Sequence, residues 1–121
     1  MLLHRAQVLN CLPMPIANLF TNATAPASGE RFDVLLKHQN LVIERIVSSS
    51  DITPTRYVQE QDEWVLLVQG SAVLEVDGVR HELHSGDYLF IAARVPHTVL
   101  KTAQGTVWLA VHLYPSGVQS A

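Results

Sequence analysis

Apolar and polar residues alternate in short runs along most of this chain, the period expected of strands whose two faces meet different surroundings. The run 41–47 reads Leu-Val-Ile-Glu-Arg-Ile-Val, which puts Ile43, Arg45 and Val47 on one face and Val42, Glu44 and Ile46 on the other. Similar runs predict strands over 64–69, 71–76, 79–83, 88–91, 95–101 and 106–113. Turn residues separate them: Gly70, Asp77-Gly78, Ser85-Gly86-Asp87 and the stretch 102–105. Asp77-Gly78 is the pair favoured in a two-residue type I′ hairpin. Seven short strands at regular spacing predict an all-β sandwich or barrel over residues 41–114.

Before residue 41 the pattern changes. Pro13, Pro15 and Pro26, with Asn18, Asn22, Ser28 and Gly29, predict an extended arm with turns. Phe32, Leu35 and Leu36 fall at i, i+3 and i+4, and Ser28 or Gly29 could cap them, so one short helix is predicted over 30–39. The reading is therefore an N-terminal arm and helix over 1–40 packing on a barrel over 41–114, with a loose tail over 115–121.

Length and composition narrow this further. A chain of 121 residues suits one domain that can bury a core without staples. With 48% hydrophobic and 16% charged residues, part of the apolar surface is expected to lie under a partner subunit, and a homodimer is the expectation. A net charge of -3 without a basic run argues against nucleic acid as a partner. No apolar run is long enough to span a bilayer and the N-terminus has no signal-peptide pattern, so no membrane partner and a cytoplasmic location are expected. The single Cys11 can make neither an internal disulfide nor a thiolate zinc site, and reads as a small buried hydrophobe.

Two polar clusters bracket the central strands: Tyr57-Val-Gln-Glu-Gln-Asp-Glu63 and Arg94-Val-Pro-His97. Closing the sheet would bring them together at the barrel mouth. Here the chain resembles the cupins, small jelly-roll β-barrels. Their first motif usually has two His one residue apart, then Glu, then six residues and Gly. Glu63 and Gly70 stand at that spacing. Gly86-Asp-Tyr-Leu-Phe-Ile-Ala-Ala-Arg-Val-Pro-His97 is similar to the second motif, and the resemblance runs over roughly 41–113. It implies a cupin fold and a small-molecule ligand. It also implies a divalent metal (Fe, Mn, Zn or Ni) held through Glu63 and His97, with dioxygenase, isomerase or decarboxylase chemistry on a small oxygenated substrate.

The departures bear on that metal. Where the family has its two His, this chain has Tyr57 and Gln59, or Arg56 and Val58 with a longer gap. The usual Pro and Gly of the second motif are Ala92 and Arg94. Gln59 and His112 are the candidates to complete a metal site with Glu63 and His97. The competing reading is a metal-free binding or regulatory module with a vestigial metal site. It would hold an anion or sugar-like ligand through Tyr57, Arg45 and Arg94, since an arginine turned into a barrel offers a fork for carboxylate or phosphate. Whether the protein is an enzyme stays open at this point.

Overall fold

A computed structural model describes residues 15–116, so Cys11, the first part of the arm and the end of the tail lie outside the described residues. The nine strands are β1 (Glu30–His38), β2 (Leu41–Ser48), β3 (Arg56–Tyr57), β4 (Asp62–Gln69), β5 (Ser71–Val76), β6 (Val79–His84), β7 (Tyr88–Ile91), β8 (His97–Thr102) and β9 (Thr106–Leu113). All pairings are antiparallel. A five-stranded sheet in the order β1-β2-β9-β4-β7 faces a four-stranded sheet in the order β3-β8-β5-β6. This is the expected all-β jelly-roll type of barrel, and the predicted strands 71–76, 88–91 and 106–113 agree residue for residue with β5, β7 and β9.

The helix expected over 30–39 is a strand instead. β1 pairs with β2 from Glu30↔Ser48 to His38↔Leu41, with a register shift between Val34 and Leu36. Such a bulge puts an extra residue into the strand, so Leu35 and Leu36 mimic the helical i+3, i+4 spacing while the backbone stays extended. Gly29 does not cap a helix: it has φ 75° and exchanges backbone bonds with the turn at Ser49 and Asp51.

The hairpin at Asp77-Gly78 has φ 50° and 82°, the positive pair that a type I′ turn requires. Gly70, between β4 and β5, is required for another reason. A Cβ there would lie 2.5 Å from Thr106 Oγ1 and 2.8 Å from Thr106 Cα, so no side chain fits where the chain passes from one sheet to the other.

Inward-facing Val65, Leu67, Ala72, Leu74, Leu83, Ile91, Trp108 and Ala110 form the core between the sheets. Burying an apolar side chain of this size stabilises the fold by about 1.5–3 kcal/mol. Trp108 also satisfies its indole N–H, which donates to Ser48 Oγ at 3.0 Å. The outer face of the five-stranded sheet is crossed by the arm. Arg45 donates there to the carbonyls of Leu19 and Thr21, and Arg31 to those of Asn22 and Thr24.

Candidate functional site

The sandwich is filled at the Leu67 and Leu83 end and hollow at the other. A cavity of about 280 Å³ lies between the sheets, floored by apolar side chains that include Ile46, Val65, Leu74, Val99 and Trp108. Its polar rim comes from the segment that joins β3 to β4 through a bend at 60–61: Tyr57, Gln59, Gln61 and Glu63, every second residue, all line the cavity. β8 brings His97 beside them, because Tyr57 pairs with His97 and stacks on its ring at 5.9 Å. β9 adds His112, opposite Glu63 in the β4–β9 ladder, and β2 adds Glu44 beside His112.

Glu63 and His97 are both 7% exposed. Gln59 Nε2 donates to Glu63 Oε1 at 3.0 Å, and among the described residues no hydrogen bond reaches Glu63 Oε2. The Nδ1 of His97 lies 3.1 Å from the Val95 carbonyl, which can only accept, so Nδ1 carries a proton. That leaves Nε2 turned toward Glu63 Oε1 at 3.7 Å, too far for a hydrogen bond.

His112 is satisfied on both sides. Its Nε2 sits 2.9 Å from Glu44 Oε1 and its Nδ1 3.2 Å from Gln61 Nε2. Burial disfavours its charged form, but the hydrogen bond to Glu44 and the negative charges of Glu63 and Glu44 outweigh that, and its pKa is raised above the ordinary value. The alternation expected of β9 holds, with Trp108, Ala110 and His112 all turned inward and buried.

Neither arginine meets the cavity. Arg45 belongs to the opposite face of β2, where Nε and Nη2 donate to Asp33 Oδ2 at 3.1 and 2.8 Å. The face of β2 that turns inward is Val42, Glu44 and Ile46. The hydrogen bond from Arg45 leads the influences that hold the Asp33 carboxyl below its usual pKa. Arg94 is exposed and pairs with Glu60 at 3.0 Å, which raises its own pKa. It has φ 67°, so it takes the left-handed conformation at the position where the second motif usually has Gly. Its backbone N–H donates to the Gln59 carbonyl, and Asp62 Oδ1 accepts from the N–H of the preceding turn residue, Ala93. Glu60 and Asp62, the even-numbered acids, thus hold the turn before His97 while their odd-numbered neighbours face the cavity.

Among the described residues, no three His, Cys, Asp or Glu side chains converge as a metal site requires. Glu63 and His97 make a two-donor set, Gln59 already donates to Glu63, and both nitrogens of His112 are engaged. The residues present therefore do not fit the three-ligand centre usual for catalytic zinc or non-haem iron. The sequence reading also left out Glu30, Phe32, Glu44, Gln61 and Tyr114, all of which line the cavity.

The model of the cupin domain matches residues 45–112. The chain belongs to the cupin family. A solved structure from Ralstonia eutropha JMP134, provisionally named a mannose-6-phosphate isomerase, is 36% identical with a TM-score of 0.74. The match spans 84% of this cupin and 100% of that chain. An RmlC-like cupin from Shewanella frigidimarina NCIMB 400 is 18% identical with a TM-score of 0.67, over 81% of this chain and 86% of its own. KdgF from a Halomonas species is 16% identical with a TM-score of 0.67, over 72% and 82%. The last two likenesses show the fold. No curated protein matches this cupin in sequence.

Proposed function

We propose that this cupin binds a small polar organic molecule in the barrel cavity through its own side chains, without a three-ligand metal centre. The observation that carries the reading is the cavity of about 280 Å³ with an apolar floor and a rim of Gln59, Gln61, Glu63, His97 and His112. Small-ligand sites combine an apolar enclosure with a few convergent polar groups in this way. Glu63 Oε2 and His97 Nε2 are the groups left open to a ligand, whereas Glu44, Gln61 and His112 bond one another and shape the wall.

A metal-dependent enzyme remains the competing reading, and it requires a third donor supplied from outside the set above. The name of the Ralstonia relative would suggest a sugar phosphate. No Arg or Lys lines this cavity among the described residues, so a phosphate would enter without a counter-charge. An anion captured by Arg45 or Arg94 is disfavoured for the same reason. The test is a screen of sugars, polyols, amines, carboxylates and sugar phosphates by melting temperature and Trp108 fluorescence, in a Trp64→Phe background. Trp108 lines the cavity and Trp64 lies on the outer face, so only a cavity ligand moves both signals. A ligand that raises the melting temperature but leaves Trp108 emission unchanged counts against the cavity as the site.

We further propose that two copies pair through the outer face of the five-stranded sheet. Register places Leu36, Ile43, Val111, Trp64 and Phe90 in one row across all five strands, and Phe90 is 60% exposed. This row and its outward neighbours Leu109, Leu66 and Tyr88, on β9, β4 and β7 rather than on the β1 and β2 side where Asp33 and Arg45 stand, supply the apolar centre of such an interface. Another twisted apolar sheet fits such a face, and a two-fold axis supplies one. Sedimentation should give a dimer that Trp64→Glu converts to a folded monomer. A parent protein that sediments as a monomer at high concentration would exclude this interface.

A further inference from the structure

The charge on the cavity wall specifies more than a small ligand. Glu30, Glu44 and Glu63 all line it, against two imidazoles and, among the described residues, no Lys or Arg. Even with His97 and His112 both protonated, the wall carries one more negative than positive group, so its sign does not depend on how the histidines titrate. Phe32, Tyr57, Trp108 and Tyr114 supply aromatic surface around the same space. Carboxylates and aromatic faces are the two kinds of group that stabilise an organic cation away from water.

The pair at the centre is incomplete in a specific way. Glu63 and His97 are each 7% exposed, yet Glu63 Oε2 has no hydrogen bond among the described residues, and His97 Nε2 has none either. With Nδ1 protonated against Val95, a neutral His97 turns a lone pair at the carboxylate 3.7 Å away. Oε1, the oxygen across that gap, already accepts from Gln59 Nε2, so the two acceptors without a donor are Glu63 Oε2 and His97 Nε2. A neutral hydroxyl has one hydrogen to give, whereas a protonated amine can donate to both and also neutralises the buried carboxylate.

We infer that the ligand of this cavity carries a protonated primary or secondary amine, which bridges Glu63 and His97 while its apolar part lies on the aromatic and aliphatic floor. The inference rests on the cavity being a small-molecule site, as proposed above. It adds the sign of the ligand's charge and the two groups that receive it.

Calorimetric titration with three ligands of nearly equal shape tests it: cyclohexylmethylamine, cyclohexylmethanol and cyclohexanecarboxylate. The amine should bind about tenfold or more tighter than the alcohol, and the carboxylate more weakly than either. In Glu63→Gln, which keeps the shape and the contact with Gln59, the advantage of amine over alcohol should disappear. The series on the parent protein decides the sign of the charge by itself, so a Glu63→Gln chain that fails to fold leaves the test intact. Equal or tighter binding of the alcohol or carboxylate, with a change in Trp108 emission, would overturn the amine inference while upholding the cavity as the site. Binding of any of the three without a change in Trp108 emission, or no binding of all three, would overturn both.

Discussion

Arg45 and Glu63 are both buried charged residues of the same five-stranded sheet, and the contrast between them separates structure from site. Arg45, on the outer face, is closed: Asp33 and the carbonyls of Leu19 and Thr21 take its donors and tie the arm to β2. Glu63, on the inner face, is half open, with one oxygen on Gln59 and the other facing the cavity. A buried charge with its partners in place fixes a fold. One with an oxygen left unbonded is where the proposed ligand would be received.

Four substitutions or titrations would break or sharpen this contrast. The largest effect is expected at the closed charge. Arg45→Met leaves the carbonyls of Leu19 and Thr21 without this donor and Asp33 with Arg31 as its remaining partner, and should cost roughly 1–3 kcal/mol in denaturant unfolding. Ligand affinity in the folded fraction should not change. The reverse pattern is expected at the open charge. Glu63→Gln should alter stability by less than about 1 kcal/mol and weaken binding of an amine about tenfold, roughly 1.4 kcal/mol.

The third effect is on pH dependence. A raised pKa for His112 means that its contribution to stability is full below the unfolded value of about 6.5 and is lost as pH rises through the folded one. Unfolding free energy should therefore fall above about pH 6.5 by an amount that His112→Asn removes. Asp33 has the opposite sign: its depressed pKa gives stability that is present above the unfolded value of about 3.9 and lost as pH falls through the folded one. Arg94→Gly should have the smallest effect. It relieves a left-handed side-chain position and removes an exposed ion pair, which oppose each other, so melting temperature and ligand affinity should both stay near the parent values.

Much of this architecture is legible in the sequence because strand alternation is local. The three strands matched residue for residue follow from period-two patterning and the Asp77-Gly78 turn from its residue pair, whereas Tyr57, Gln59 and Glu63 were found through the spacing of the cupin motif. β1 was not legible, since its bulge places Leu35 and Leu36 at helical spacing. Phe32 and Val34, alternating with Arg31 and Asp33, carried the strand signal there. Which face of β2 turns inward was not legible either. An arginine and a glutamate alternate on that strand, and only the arm beneath Arg45 decides between them. Each face of β2 carries one charge between two apolar residues, Glu44 between Val42 and Ile46 and Arg45 between Ile43 and Val47, so the pattern alone does not choose. For Arg94 the motif position pointed to a turn, but no local rule shows that the residue keeps the glycine-like conformation while its guanidinium leaves the site.

The central claim is that this cupin's cavity binds its ligand through protein groups with Glu63 and His97 at the centre. Metal content by mass spectrometry on untagged protein purified without chelator, with cyclohexylmethylamine binding measured before and after exhaustive chelation, tests it most directly. The account predicts a small fraction of a metal ion per chain and unchanged binding after chelation. One metal ion per chain, absent from His97→Ala, with binding lost on chelation, would contradict it and restore the metal-centred reading.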